Sequence, residues 1–283
     1  MLPNPRFTRL PPAFWANVRS LSQQIGYTSR STRNIKIPTA VEIKNAYEDL
    51  GLDPTTFVSA RGALTEFGNL LTEYFEYRAD VLNDTVEPLL MDIDDAREAL
   101  EEMQAEVPSL RPLVMNKQKG EKAGPNPLTN MVNLAIESVI GDDPCDYDPR
   151  QLTTVTRDGI PVRTLARRVD GAYPSPVNPI AVWEIKEYYF TTTFGSRVAD
   201  GVYETMLDGL ELQELREHEG IDVLHYLFID SRRTWWLMGK SYLCRIVDML
   251  HMGHVDEVLF GREVMTRLPQ LAGDWTRLAT PGS

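Results

Sequence analysis

Residues 167–190 read Arg-Arg-Val-Asp-Gly-Ala-Tyr-Pro-Ser-Pro-Val-Asn-Pro-Ile-Ala-Val-Trp-Glu-Ile-Lys-Glu-Tyr-Tyr-Phe. An acid, Asp170, ends one strand-like run. After a proline-rich connection, Glu184 and Lys186 sit inside the apolar run from Ile180 to Phe190. Side chains two apart in a strand share a face, so Glu184 and Lys186 project together while Trp183 and Ile185 turn to the opposite side, toward a core. A turn that returns Asp170 alongside brings two carboxylates and an ammonium together, a set of groups that suits a Mg²⁺ ion and an activated water. The alternative is a surface strand on which Glu184 and Lys186 form an ion pair worth under about 1 kcal/mol.

An acid followed at a distance by Glu-x-Lys resembles the catalytic motif of the PD-(D/E)XK nucleases, with Asp170 as the first acid and Glu184-Ile185-Lys186 as the E-x-K; Val169 stands where the family usually has proline. The resemblance implies an α/β fold, a restriction-endonuclease-like mixed β-sheet core flanked by helices. It implies that Asp170, Glu184 and Lys186 are catalytic, and that Mg²⁺ is bound by Asp170, Glu184 and the Ile185 backbone carbonyl. Glu137, on a helix before the first strand, is a candidate further metal ligand. The implied activity is that of a Type II site-specific deoxyribonuclease, a homodimer cutting double-stranded DNA to leave 5′-phosphate and 3′-hydroxyl ends. The alternatives are a repair or phage-defence nuclease of the same fold, or a non-catalytic DNA- or partner-binding protein.

Upstream and downstream, the chain supplies the elements such a core needs. Leu128–Ile140 reads as a helix; Thr153–Arg157 and Pro161–Val169 read as strands joined by Asp158-Gly159, a common hairpin turn. The connection Gly171–Pro179 is too rich in proline to pair as a strand. Val198–Glu217 reads as a helix crossing to a buried strand at Ile221–Ile229. Thr234–Met238 is a candidate strand, and Ser241 opens a helix through His251. His251 and His254 lack a third ligand and are expected to be solvated or capping.

The N-terminal part is expected to be a mostly α-helical domain over residues 1–115, linked through 116–127 to a nuclease domain over 128–283. The linker is marked by three lysines among glycines and prolines. Phe14, Trp15, Val18, Leu21 and Ile25 have helical spacing. Thr39 and Glu42 form a capping box for a helix over 40–50 that stops at Gly51, and a second helix is expected from Thr55 or Thr56. An amphipathic helix is expected over 85–106, and Asp92, Asp94 and Asp95 lack the glycine and closing Glu of a calcium loop.

The net charge of −12 opposes a phosphate-binding role at first sight, but it is unevenly spread. Between Glu76 and Glu106 eleven acids stand against Arg78 and Arg97, whereas residues 1–44 hold seven Lys and Arg against Glu42 alone. Arg30, Arg33, Asn34 and Lys36 in that basic segment are candidate DNA contacts, as are Thr193, Ser196 and Arg197 after the Glu-x-Lys strand. No apolar run approaches a membrane span. Cys145 and Cys244 lack metal-ligand spacing and fit a reducing, cytoplasmic setting. No phosphate-binding glycine loop or nucleophile elbow is present.

Overall fold

The computed structural model describes residues 1–29, 31–109, 111–116, 123–190 and 195–280. In chain order, α1 (Pro12–Ile25), α2 (Ala40–Asp49) and α3 (Glu66–Asp80) lead into a π-helical stretch (Val81–Val86), the short α4 (Glu87–Leu89) and α5 (Ile93–Glu106). Then come α6 (Pro127–Ile140), β1 (Thr154–Arg157), β2 (Ile160–Thr164), β3 (Gly171–Tyr173), β4 (Ala181–Glu187) and α7 (Ser196–Glu219). The chain continues with β5 (Leu224–Asp230), a second π-helical stretch (Arg232–Met238), α8 (Lys240–His251), β6 (Glu257–Phe260) and α9 (Glu263–Ala279). The fold is therefore α/β. Among the described residues, no helix is long and apolar enough to cross a membrane.

Four strands form a mixed sheet in the order β3-β4-β5-β6, with β3 antiparallel to β4 and the other pairs parallel. Helix α7 makes the crossover that a parallel β4–β5 pair requires. Helices cover both faces, so β4 and β5 are buried along nearly their whole length, their charged residues included. On one face Trp183, Tyr226 and Phe228 meet α6 and α9, and the Trp183 and Trp275 rings stack at 5.5 Å with 8° between planes. On the other, Leu227 and Ile229 meet α8 while Val182 meets Leu212 and Leu215 of α7. β1 and β2 form a separate hairpin. Its turn residues Asp158 and Gly159 both take positive φ (52° and 79°), as a two-residue hairpin turn with the strands' own twist demands.

The N-terminal helices have their own core, in which Phe14, Trp15 and Tyr74 pack edge to face. They are joined to the sheet's helices by a buried ion pair: Arg78 of α3 donates to both carboxylate oxygens of Asp248 of α8, at 3.0 Å each. α5 packs through Ala96, Ala99 and Leu100 against α6. Asp92 is its N-cap, accepting from the amides of Asp94 and Asp95.

Several elements depart from the sequence reading. The connection expected to be unpaired contains β3: its first proline comes only at 174, so Gly171, Ala172 and Tyr173 keep their ladder donors. α3 starts at Glu66, ten residues later than expected, because Thr65 caps it by accepting from the Gly68 amide. Leu90–Asp92 interrupts the helix expected over 85–106. Arg232–Met238 is helical instead of extended, started by the Ser231 hydroxyl accepting from the Thr234 amide. His251 and His254 are buried, not solvated. The His251 ring accepts from the Asn4 amide through Nε2 and donates to the Val247 carbonyl through Nδ1. β6 and α9 were not anticipated.

Candidate active site

The meeting of β3 and β4 creates the site. The Asp170 amide donates to the Trp183 carbonyl (3.0 Å), closing the ladder where β3 begins. The next donor on that edge of β4, the Ile185 amide, has no strand beside it and donates instead to Asp170 Oδ2 at 2.8 Å. A strand residue turns its N–H and C=O to the same side, so the Ile185 carbonyl faces this edge as well. Gly171 lets β3 lie against the core here: a Cβ on it would stand 2.0 Å from the Trp183 ring.

On the α7 face of β4, Glu184 and Lys186 do project together. Both are buried, which excludes the surface-pair alternative. Lys186 Nζ donates to Glu184 Oε2 at 2.6 Å and stands 3.4 Å from Glu204 Oε2. Arg167 Nη1 lies 2.8 Å from Glu184 Oε1, off the line of a hydrogen bond, and donates to Asp208 Oδ2 at 2.6 Å. Glu204 and Asp208 come from α7, which approaches closely because position 201 is glycine. A Cβ there would stand 2.6 Å from the Tyr188 hydroxyl and 3.2 Å from Lys186 Cδ.

Four carboxylates thus share two cations, in a setting of low dielectric. Burial pushes the Asp170 carboxyl up to about 6, with the Glu184 charge adding to the rise and Lys186 opposing it. Burial likewise pushes Asp208 up to about 7 against the pull of Arg167. For Glu184 burial also acts upward, but the charges of Lys186 and Arg167 outweigh it and hold the carboxyl below its usual range. Burial alone would lower Lys186; the Glu184 and Asp170 charges reverse this and raise it, so the side chain is a cation at neutral pH. His225, on β5 and on the same face, is buried and kept neutral by desolvation. Its Nδ1 donates to the His254 carbonyl, and its Nε2 has no hydrogen-bond partner among the described residues.

Asp208 Oδ1 is buried and accepts no hydrogen bond from a described residue. An excess of carboxylate with unfilled acceptor capacity is chemistry that takes up a hard cation. Among the described residues no three His, Cys, Asp or Glu side chains form a ready metal cage. The groups that could hold one at this edge are the Asp170 and Glu184 carboxylates and the Ile185 carbonyl, oxygen donors of the kind Mg²⁺ takes.

The other predicted site residues fall in three places. Glu137 is not brought to this cluster: it pairs with Arg111 at 3.1 Å, beside Tyr147 and under the Trp183 face, and alternation along β4 puts Glu184 on the opposite face. Ser196 and Arg197 are exposed at the start of α7 and lie next to the cluster, since Tyr188 donates its hydroxyl proton to the Arg197 carbonyl (3.0 Å). Arg33 and Asn34 are exposed at the tip of a small hairpin closed by Thr28 and Ile35, while Lys36 stands 3.5 Å from Glu42. Arg30 and Thr193 lie outside the described residues.

Arg167, Glu204 and Asp208 were missed by sequence reasoning. A signal existed for Asp208: Gly201, Thr205, Asp208 and Leu212 make a buried stripe at helical spacing, and an acid in such a stripe needs a cation opposite. Glu187 was missed as well. It projects from the carboxyl end of β4 onto the α6 face, directly opposite Asp230 of β5. Its Oε2 accepts from the Thr129 amide and hydroxyl at 2.9 Å each, and Asp230 accepts from the amides of Met91 and Ser231 and from the Tyr189 hydroxyl. Burial pushes both carboxyls up to about 7.

Comparison with known proteins gives two family matches. A family described as a domain of unknown function, DUF7687, matches residues 91–275, and another so described, DUF7690, matches residues 1–85. No curated protein and no solved structure matches the chain.

Proposed function

The chain belongs to the DUF7687 family, and we propose that its Asp170–Glu184–Lys186 cluster is the active site of a Mg²⁺-dependent endonuclease cutting double-stranded DNA at defined sites, a Type II restriction enzyme with a restriction-endonuclease-like core. One observation carries this reading. The Asp170 carboxylate is fixed by the Ile185 amide beside a buried Glu184–Lys186 pair, at the edge where β3 begins and the Ile185 carbonyl is turned outward.

In this reading Asp170, Glu184 and the Ile185 carbonyl would hold Mg²⁺, which would supply Lewis acidity and an activated water. The protein's own residues do the rest. Glu184 is kept ionised by Lys186 and Arg167 and so stays a competent ligand. Lys186 is held as a cation, which suits orienting the attacking water and offsetting charge on the phosphoryl oxygens better than removing a proton. Arg167 anchors Glu184 and Asp208 to each other across β4 and α7. Exposed Ser196 and Arg197, together with the basic segment around Arg33, supply phosphate contacts, and two copies related by two-fold symmetry would address a palindromic site.

End chemistry tests the proposal. Plasmid DNA cut in Mg²⁺ is offered to polynucleotide kinase before and after phosphatase treatment. Ends that accept label only after phosphatase carry 5′-phosphates, the expected result. Ends labelled directly, or DNA left intact, would overturn the proposal, and smeared products would replace site specificity with a non-specific nuclease.

A further inference from the structure

A cavity of about 440 Å³ lies between α1, α7 and α8, apart from the carboxylate cluster and within the size range of small-molecule sites. Its charge is unusual for a protein of net charge −12. Arg19 and Arg245 both line it, and neither is paired with a carboxylate among the described residues. Arg19 rests on the sulfurs of Met206 and Met252 at 3.5 and 3.2 Å. Arg245 lies over the Tyr27 and Tyr242 rings, 4.9 Å from each centroid, and its Nη1 donates to the Tyr203 hydroxyl at 3.3 Å. The one acid in the wall, Asp248, is already satisfied by Arg78 and by the Tyr74 hydroxyl at 2.6 Å. Two guanidiniums therefore face the cavity uncompensated, a demand for an anion with several oxygens.

The remainder of the wall suits a flat ring. Val202, Met206 and Met249 give an apolar floor, and the half-exposed Tyr203 ring stands at its side. Ser20 and Gln23 of α1 bring hydrogen-bonding groups of both kinds, able to meet the polar edge of a heterocycle. An anion site, a stacking surface and edge-reading polar groups in one cavity describe a single ligand class. We infer that this cavity binds a free nucleoside monophosphate, its phosphate between Arg19 and Arg245 and its base against Tyr203 and the methionine floor. Helix α7 joins the two sites, since Tyr203 and Met206 line the cavity while Glu204 and Asp208 enter the carboxylate cluster. The same phosphate-and-base chemistry is offered by a nucleotide within DNA, so the test must separate the two sources.

Calorimetric titration of the full chain with AMP, GMP, CMP and UMP in the absence of Mg²⁺ is the direct experiment, with the four matching nucleosides and inorganic phosphate as partial ligands. Saturable binding of at least one monophosphate is expected, with its nucleoside and phosphate each weaker by about tenfold or more. Arg19→Gln, at an exposed position where folding is not at stake, and Arg245→Gln, checked by thermal melting, should each weaken binding by about tenfold. Asp170→Ala should leave binding unchanged, which keeps the result independent of the nuclease reading. Absence of saturable binding for all four nucleotides, or wild-type affinity in both arginine variants, would overturn the inference. Displacement of the bound nucleotide by a blunt DNA duplex would assign the cavity to DNA and overturn it as a free-ligand site.

Discussion

Replacing Glu187 by Gln should change how the stability of this protein depends on pH. The Glu187 carboxyl lies against Asp230 at the ends of β4 and β5, and burial raises it from an ordinary 4.5 to about 7. A carboxyl that holds its proton more tightly in the folded chain stabilises the fold fully below its unfolded pKa, and this contribution is lost as pH rises through the folded one. At 1.36 kcal/mol per pKa unit, the shift corresponds to about 3 kcal/mol, of which about 2.5 kcal/mol falls between pH 5 and pH 8. Gln keeps an acceptor oxygen for the two Thr129 donors but cannot ionise, so any packing cost it brings is the same at both pH values. Urea unfolding followed by tryptophan fluorescence at pH 5 and pH 8 reads the difference. Wild type should lose about 2.5 kcal/mol more than Glu187→Gln across that interval. Parallel profiles for the two proteins would refute the reasoning and show that Glu187 titrates as a solvated acid.

Arg78→Met should cost about 3–5 kcal/mol in the same denaturation assay, because it leaves Asp248 buried with only Tyr74 as partner; Arg78→Met with Asp248→Leu should recover part of that loss. Gly171→Ala forces a Cβ into the Trp183 ring and should lower stability by about 3 kcal/mol, read as a fall in melting temperature, whereas an unchanged melting temperature would show that β3 can move away. Because burial raises Asp170 to about 6, its carboxyl is protonated below that pH and lost as a ligand. Mg²⁺ affinity measured by calorimetry should therefore fall by up to about tenfold per pH unit below 6, and a flat profile down to pH 5 would contradict the assignment.

What could be read in the sequence was local. Thr39 and Glu42 form the capping box expected of them, Asp158-Gly159 makes its turn, and the alternation that sets Glu184 and Lys186 opposite Trp183 holds along β4. These depend on neighbours within four residues, and short-range periodicity records them. The rest of the cluster depends on the crossover. Arg167 precedes β3, Glu204 and Asp208 follow β4 on α7, and only the closed sheet with its helix puts both acids within 4 Å of Arg167. β3 was hidden because its three residues run directly into a proline-rich segment. β6 was hidden because four residues, Glu257–Phe260, give too short a run to separate from its surroundings. His251 was expected to be solvated or capping because no third ligand stood near it and His254, and only the fold shows Asn4 and Val247 meeting its ring.

Asp170, Glu184 and Lys186 are proposed to form a nuclease site, and loss of cutting on their removal tests it most directly. Purified protein should be incubated in Mg²⁺ with mixed plasmid and phage DNA, beside Asp170→Ala and Lys186→Ala variants, and the products run on a gel. Discrete bands from the wild type alone are the predicted result. Intact DNA with wild-type protein, or wild-type cutting by both variants, would contradict it.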